Sequence, residues 1–512
     1  MPLPARQRRA LAPAAAAAVV LAAALAAACA GRGGRPAPSP GSALWVSAED
    51  AAGLSAADVG ALEAGGIGRL VLAAGTLAAG PGAGIETVDL RAEPGAPRPA
   101  VRLPVLLAVS GTWGGAAEPA EEGARLAGEL AALRRRAEAA GWRPIGFLLD
   151  LAVPPDEPAL DGYAELLAAA GEAVGDGALL AATVDPAALG VPGFEAIAAG
   201  ADLLVAFLYG PRPDGGPAAG GEAAWRLDAV AEAARRLDAL GTPFWVGVGT
   251  VGELTLLASD GSVTDRTTRA DLGPLLAAPE LAAPRAAVLE GLDRQRYAFA
   301  VREPLTVAGR AVPAGGAVAV QRLTAHHLAR LPARLAELGL SHHLGQLWMR
   351  PPRAGEGLAV PVATLADAAA GRPVGPRLEL ALEERSAGGG RRVVRVRLAN
   401  VGGEATEIAA LDANLVELTS PSGTFGRVDP GGFRRYELTR EGRRVADARA
   451  ASRADGLRLY VPRLAPGETV VSGDVEVRGG RGAPRIAAKA SFLAPGGTVV
   501  EAVTGAPAEE TP

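Results

Sequence analysis

A chain of 512 residues is too long for one hydrophobic core and predicts at least two domains. Its formal net charge of −5 is spread thinly and forms no basic stripe able to neutralise a phosphate backbone, which argues against nucleic acid as a partner. With 49% hydrophobic residues, burial is not limiting, and a single cysteine, Cys29, excludes an internal disulfide.

The N-terminus places Arg6, Arg8 and Arg9 ahead of an alanine-, valine- and leucine-rich stretch over residues 10–28. That stretch is too short, and its side chains too small, for a permanent membrane span, so residues 1–28 read as a signal peptide. It ends in Leu25-Ala26-Ala27-Ala28-Cys29, which resembles the lipobox of bacterial lipoproteins. The resemblance implies export, a lipid on Cys29 that holds the protein to the membrane, and residence in the cell envelope, at the outer membrane or the periplasmic face of the inner one. Residues 29–42 are rich in Gly, Pro and Ser and suit a solvated tether.

Eight short apolar runs follow, at residues 43–47, 69–73, 104–109, 145–149, 179–183, 203–208, 244–248 and 346–349. Between them lie helical patterns. Over residues 124–140, Leu126, Leu130 and Leu133 form one apolar stripe opposite Arg134, Arg135 and Glu138, and Gly141 then stops the helix. Residues 223–240 repeat the pattern with Trp225, Leu227, Val230, Ala234 and Leu237. Strand followed by helix implies parallel pairing, because parallel neighbours need a crossover long enough to hold a helix. Eight such units predict an α/β fold, a closed (β/α)8 TIM barrel over residues 43–374; the competing open, doubly wound sheet would favour a Gly-rich turn after the first strand, and none is present. Residues 251–323 make one long insertion with a hairpin signal at Ser259-Asp260-Gly261-Ser262.

Beyond residue 375 the period changes to two. Val394, Val396 and Leu398 alternate with Arg395 and Arg397 and lead into the turn sequence Asn400-Val401-Gly402-Gly403. Similar stretches at 415–418, 434–438, 457–461, 470–477 and 486–492 predict an immunoglobulin-like antiparallel β-sandwich over residues 375–505, with a disordered tail at 506–512.

Catalytic groups of such barrels project from the C-terminal ends of strands. The residues at those ends are Glu49 and Asp50 after the first strand, Trp113 after the third, Asp150 on the fourth, Asp185 after the fifth, Tyr209 on the sixth, and Trp348 and Arg350 on the eighth. Carboxylates beside aromatic rings suit sugars, whose hydroxyls and apolar ring faces they match, and a carboxylate pair can run glycoside hydrolysis. Each carboxylate equally suits a helix cap. Asp150 stands out as the only ionisable residue of Gly146-Phe147-Leu148-Leu149-Asp150-Leu151-Ala152-Val153-Pro154. The histidine pairs His326-His327 and His342-His343 flank a predicted helix about 20 Å long, which sets them too far apart to share a metal ion. No phosphate loop, catalytic cysteine or Gly-x-Ser-x-Gly elbow occurs, and no cofactor is called for.

The Gly146–Pro154 stretch resembles the fourth-strand motif of chitinase-like glycosidases. On that likeness Asp150 keeps the last aspartate, Leu148 replaces the one before it, and Ala152 stands at the position of the proton-donating glutamate. A wider likeness, on Asp150, Trp348-Met349-Arg350-Pro351, Ala363-Thr364-Leu365 and Gly371, is to a family of bacterial barrel proteins classed as a domain of unknown function. The resemblances imply a glycosidase-like barrel with a pocket but without its usual acid. The leading expectation is therefore a lipid-anchored envelope protein whose cleft binds a carbohydrate or envelope polysaccharide. An active hydrolase would need Asp156, Glu157, Asp185 or Glu253 to supply the proton in place of residue 152. A third expectation is an envelope scaffold that docks through its sandwich.

Overall fold

A computed structural model describes residues 37–78, 84–91, 101–115, 118–175, 177–210, 226–268, 270, 272–282, 285–286, 295–353, 356–372, 374–408, 413–445, 451–480, 483–495 and 498–504. The signal peptide expected at residues 1–28, Cys29, Trp225 and the tail expected from residue 506 lie outside the described residues. The described residues divide into two compact units, one drawn from Met1–Gly252 and Leu331–Ala354, the other from Glu253–Leu289, Arg294–Arg330 and Gly355–Pro512.

In the first unit all eight apolar runs are strands: β1 Ser42–Val46, β2 Ile67–Leu77, β3 Val105–Thr112, β4 Pro144–Ala152, β5 Leu179–Val184, β6 Leu203–Tyr209, β7 Phe244–Gly249 and β8 His343–Met349. Every neighbouring pair is parallel, and β1 pairs with both β2 and β8, so the sheet closes on itself as an eight-stranded barrel. At the closing seam Trp45 stands opposite Met349, and Ser42 Oγ donates to Gln346 Oε1 at 3.1 Å.

Parallel strands covered on both faces read as continuous apolar runs, since each side chain is buried whichever way it points. One alternate set fills the lumen, including Trp45, Leu106, Leu148, Val205, Phe207, Trp245, Leu347 and Met349. Trp45 and Phe207 meet edge to face with ring centroids 6.4 Å apart. Their contact depends on Gly247, because a Cβ there would lie 2.4 Å from the Phe207 ring. The other set meets the helices. Pro119–Ala140 buries Leu126, Leu130 and Leu133 as the spacing predicts, and Gly141 ends it in the left-handed conformation at φ 96°. Leu227–Asp238 buries Val230, Ala234 and Leu237.

The second unit holds the insertion and the C-terminal region. Glu253–Leu257 and Val263–Thr267 form the expected hairpin, and they join Ala317–Arg322, Gln295–Ala300 and Arg285–Ala286 in an antiparallel sheet with its own apolar cluster around Leu254, Tyr297, Phe299 and Val318. The C-terminal β-sandwich is also present. One sheet runs Leu378–Gly388, Arg391–Asn400, Val475–Gly479, Gly423–Val428, and the other contains Arg435–Arg440, Gly456–Tyr460, Leu415–Thr419, Ala487–Leu493 and Val499–Thr504. Val394, Val396 and Val477 from the first pack with Val416, Leu459 and Phe492 from the second in one core.

The turn sequence after Arg391–Asn400 carries the chain to the opposite sheet instead of making a hairpin. The buried side chain of Asn400 fixes this departure: its amide donates to Glu404 O at 2.7 Å, and its oxygen accepts from Gly402 N at 3.0 Å. Glu404 is itself buried, and its carboxylate accepts from the backbone N–H groups of Ala325 at 2.7 Å and His326 at 3.1 Å, the first turn of the helix Ala325–Glu337. Burial pushes this carboxyl up to about 7, against the opposing pull of Arg322, these two N–H groups and Arg463.

Candidate functional site

The hydrogen-bond ladder between β4 and β5 ends at the Leu149–Ala182 pair, whereas β3 and β4 remain paired as far as Thr112 and Ala152. Past the end of the first ladder a cavity of about 460 Å³ opens at the C-terminal end of the barrel. From β3 to β6 its lining includes Ser110, Asp150, Thr183 and Phe207, with Asp185 following β5. Leu160 and Tyr163, from the helix Glu157–Val174 behind the barrel wall, complete it beside Phe194 and Ile197.

Asp150 shares the strand alternation of the lumen residue Leu148, two positions earlier, so the carboxylate belongs to the inward-facing row, with Ala152 beyond it at the strand end. It is only 6% exposed. Ser110 on β3 is its register partner and donates to Oδ2 at 3.2 Å, while Thr183 on β5 donates to Oδ1 at 2.8 Å. Gly146 allows the approach of β5, since a Cβ on it would lie 2.2 Å from Leu179 O. The opening glycine of the motif is thus a packing requirement two turns of the pleat below the carboxylate.

Tyr163 is the member of the site that the sequence reading did not single out. It is 1% exposed, its ring lies 6.4 Å from that of Trp113 at 44°, and its hydroxyl has no hydrogen-bond partner among the described residues. Burial, and then the charge of Asp150, push the phenol above its ordinary range, so it remains a protonated donor at neutral pH. A sequence signal existed: Tyr163 falls in the buried stripe Leu160, Ala164, Leu167 of the first helix after β4, the one residue of that stripe with a polar tip.

The other residues singled out in the sequence are distributed as follows. Asp185 lines the same cavity as Asp150, and its carboxylate accepts from Ala187 N at 2.8 Å to cap a short 3-10 turn. Trp113 is buried directly after β3. Glu49 is exposed in the first turn of the helix Ala48–Gly53. Asp50 closes a capping box with Ser47 and binds Arg353 through both carboxylate oxygens, at 2.7 and 2.9 Å. Burial raises the Asp50 carboxyl, but the hydrogen bonds from Arg353 and Ser47 outweigh it and hold it below the usual range.

Tyr209 is fully buried at the end of β6 and is not part of the cavity lining. Trp348 is fully buried between Leu347 and Met349, both in the lumen, so alternation turns its ring to the outer layer. Arg350 is buried, with its backbone N–H on Thr250 Oγ1 at 3.0 Å. Of the alternative acids, Asp156 caps the helix Glu157–Val174 through Ala159 N at 3.0 Å, and Glu157 is exposed. Glu253 belongs to the second unit, where its carboxylate accepts from Thr255 Oγ1 at 3.1 Å and pairs with Arg266 at 3.9 Å. Ala152 is exposed at the end of β4 and offers no acid.

The fold and site define a (β/α)8 barrel with a largely apolar cavity at its C-terminal mouth that carries a few polar groups, followed by a β-sandwich. No protein-family model matches the chain, and no curated protein matches it. Among solved structures the chain is similar to a glycoside hydrolase family 18 N-acetylglucosaminidase from Paenibacillus barengoltzii, with 13% identity and a TM-score of 0.41 over 64% of this chain and 99% of that one. It is also similar to a chitinase from Chromobacterium violaceum, at 15% identity and a TM-score of 0.38 over 65% of this chain and 98% of that one. A spore cortex-lytic enzyme from Bacillus cereus aligns at 13% identity and a TM-score of 0.36 over 66% of this chain and 75% of that one.

Proposed function

We propose that the barrel cavity binds a carbohydrate, and that the protein does so in the cell envelope, held to the membrane by a lipid on Cys29. The observation that carries the binding reading is Asp150: a buried carboxylate fixed by two side-chain hydroxyls, lining a cavity whose wall also contains Phe207 and Tyr163, a phenol without a hydrogen-bond partner among the described residues. Such a mixture of fixed acceptor, donor and aromatic face is what recognition of a polyhydroxylated ring requires. Ala152 supports binding without acid-assisted cleavage, because no proton donor stands two residues beyond Asp150. The test is titration calorimetry of the signal-free protein against purified envelope polysaccharides and peptidoglycan fragments. Saturable binding to one of them, lost in Asp150→Asn, is the expected result; no binding to any of them defeats the reading.

A second reading, hydrolysis, draws on the presence of Asp185 in the same cavity as Asp150. Retaining and inverting glycosidases both need two carboxyl groups flanking the bond. Products detected by mass spectrometry after incubation with the bound polymer, and abolished by either Asp150→Asn or Asp185→Asn, would establish it. Binding with no products leaves the cavity a recognition site.

A further inference from the structure

We infer that Tyr163 is the specificity-determining residue of the barrel cavity, its hydroxyl donating to a neutral hydroxyl oxygen of the bound ligand. The inference rests on the carbohydrate reading above and deepens it. Its basis is an exception to a general rule, since buried hydroxyls in folded proteins nearly always have partners. Tyr163 is 1% exposed, belongs to the cavity wall, and its hydroxyl has no hydrogen-bond partner among the described residues. Phenylalanine would fill the same volume between Trp113 and the barrel wall without leaving a donor unsatisfied, so packing alone does not account for the oxygen.

The surroundings define what the hydroxyl can meet. The phenol stays protonated at neutral pH, held so by burial and by the charge of Asp150, and therefore acts as a donor. An anionic acceptor in that position would face the Asp150 carboxylate in a site of low dielectric, where like charges repel strongly. A neutral oxygen meets no such penalty. The strand geometry explains how a residue of the outer helix reaches the ligand: the β4–β5 ladder stops at Leu149 and Ala182, one residue short of Asp150. Tyr163 forms part of the cavity wall there, its buried hydroxyl next to the row formed by Ser110, Asp150 and Thr183, so that the ligand reaches it by a small shift of the ring or wall.

Affinity and stability then move in opposite directions when the oxygen is removed. The experiment compares the signal-free protein with Tyr163→Phe by titration calorimetry against tetrasaccharides of glucose, galactose and N-acetylglucosamine, and by scanning calorimetry without ligand. For whichever tetrasaccharide the parent binds, Tyr163→Phe is expected to weaken binding at least tenfold while the ligand-free Tm stays level or rises. Unchanged affinity overturns the inference and leaves the carbohydrate reading standing. A fall of several degrees in the ligand-free Tm also overturns it, because the hydroxyl would then be holding the fold. If the parent binds none of the three, the same comparison is made on the envelope polysaccharide or peptidoglycan fragment that it does bind; binding to none of these either defeats the carbohydrate reading, and this inference falls with it.

Discussion

Asp150 and Glu404 are both buried carboxylates, yet they are housed in different chemistry. Asp150 is held by two hydroxyls, Ser110 and Thr183, on strands either side of its own, and it faces a cavity. Glu404 is held by two backbone N–H groups at the start of a helix, with the buried Arg322 nearby. Hydroxyls rotate and can serve acceptor or donor, so the Asp150 site can adapt to an incoming group. Backbone donors are fixed, and a carboxylate on them is committed to holding a chain segment in place. Burial alone does not mark a functional carboxylate; on the proposed reading the partners distinguish Asp150 as a recognition group from Glu404 as a structural one.

Substitutions can break this contrast, and the largest effect is expected at Glu404. Glu404→Ala strips the first turn of Ala325–Glu337 of its side-chain acceptor and leaves the N–H groups of Ala325 and His326 unsatisfied, a loss of roughly 2–4 kcal/mol in denaturant unfolding. Equal stability of parent and variant would remove the structural role.

The pH dependence of stability is the next effect. The folded carboxyl of Glu404 is raised to about 7 from an ordinary 4.5, so its contribution is fully present below pH 4.5 and lost as pH rises through 7. The span amounts to something on the order of 3 kcal/mol. Glu404→Gln should flatten that slope when Tm is followed from pH 4 to 8, and an unaltered slope would assign it to other groups.

Asp50 tests whether the rule holds within the barrel unit itself. It carries both a helix cap and a bidentate arginine, so Asp50→Ala is expected to cost about 2 kcal/mol and to leave ligand binding intact. The smallest stability effect belongs to Asp150→Asn. The hydroxyls of Ser110 and Thr183 can reorient toward an amide, so unfolding should change by less than about 1 kcal/mol while ligand affinity is lost. A large destabilisation with affinity retained would move Asp150 into the same class as Glu404.

The barrel was legible in the sequence because its strands are apolar on both faces and separated by striped helices. The sandwich was less so. Leu378–Gly388 mixes Leu380 and Leu382 with Glu379, Glu383 and Glu384 in a stretch that suits a helix as well as a strand, and Val499–Thr504 is an edge strand with exposed Val499 and Val503.

Asp150 was legible because it interrupts an apolar run. Asp185, which lines the same cavity, was legible as a strand-end carboxylate, whereas Ser110, Thr183 and Tyr163 were not singled out, Tyr163 because it stands on the helix behind the wall. The pairing of Asp50 joins residues 303 positions apart, which no local pattern encodes. Trp348 shows the limit of reading strand ends alone: whether a residue faces the lumen depends on register with neighbouring strands, and here the lumen positions are Leu347 and Met349.

The seam between β1 and β8 has a consequence for how the protein is made. On the ribosome β1 is among the first strands to emerge, but its partner β8 follows only after the whole insertion between Gly249 and His343. Until then β1 and β7 are the open edges of a seven-stranded parallel sheet, offering unpaired backbone to any neighbouring chain. A chain with this order of elements benefits from a partner that shields its open edges until the barrel closes, and variants that slow synthesis within residues 250–342 should aggregate more readily, as read by the insoluble fraction after expression, than those that slow it elsewhere.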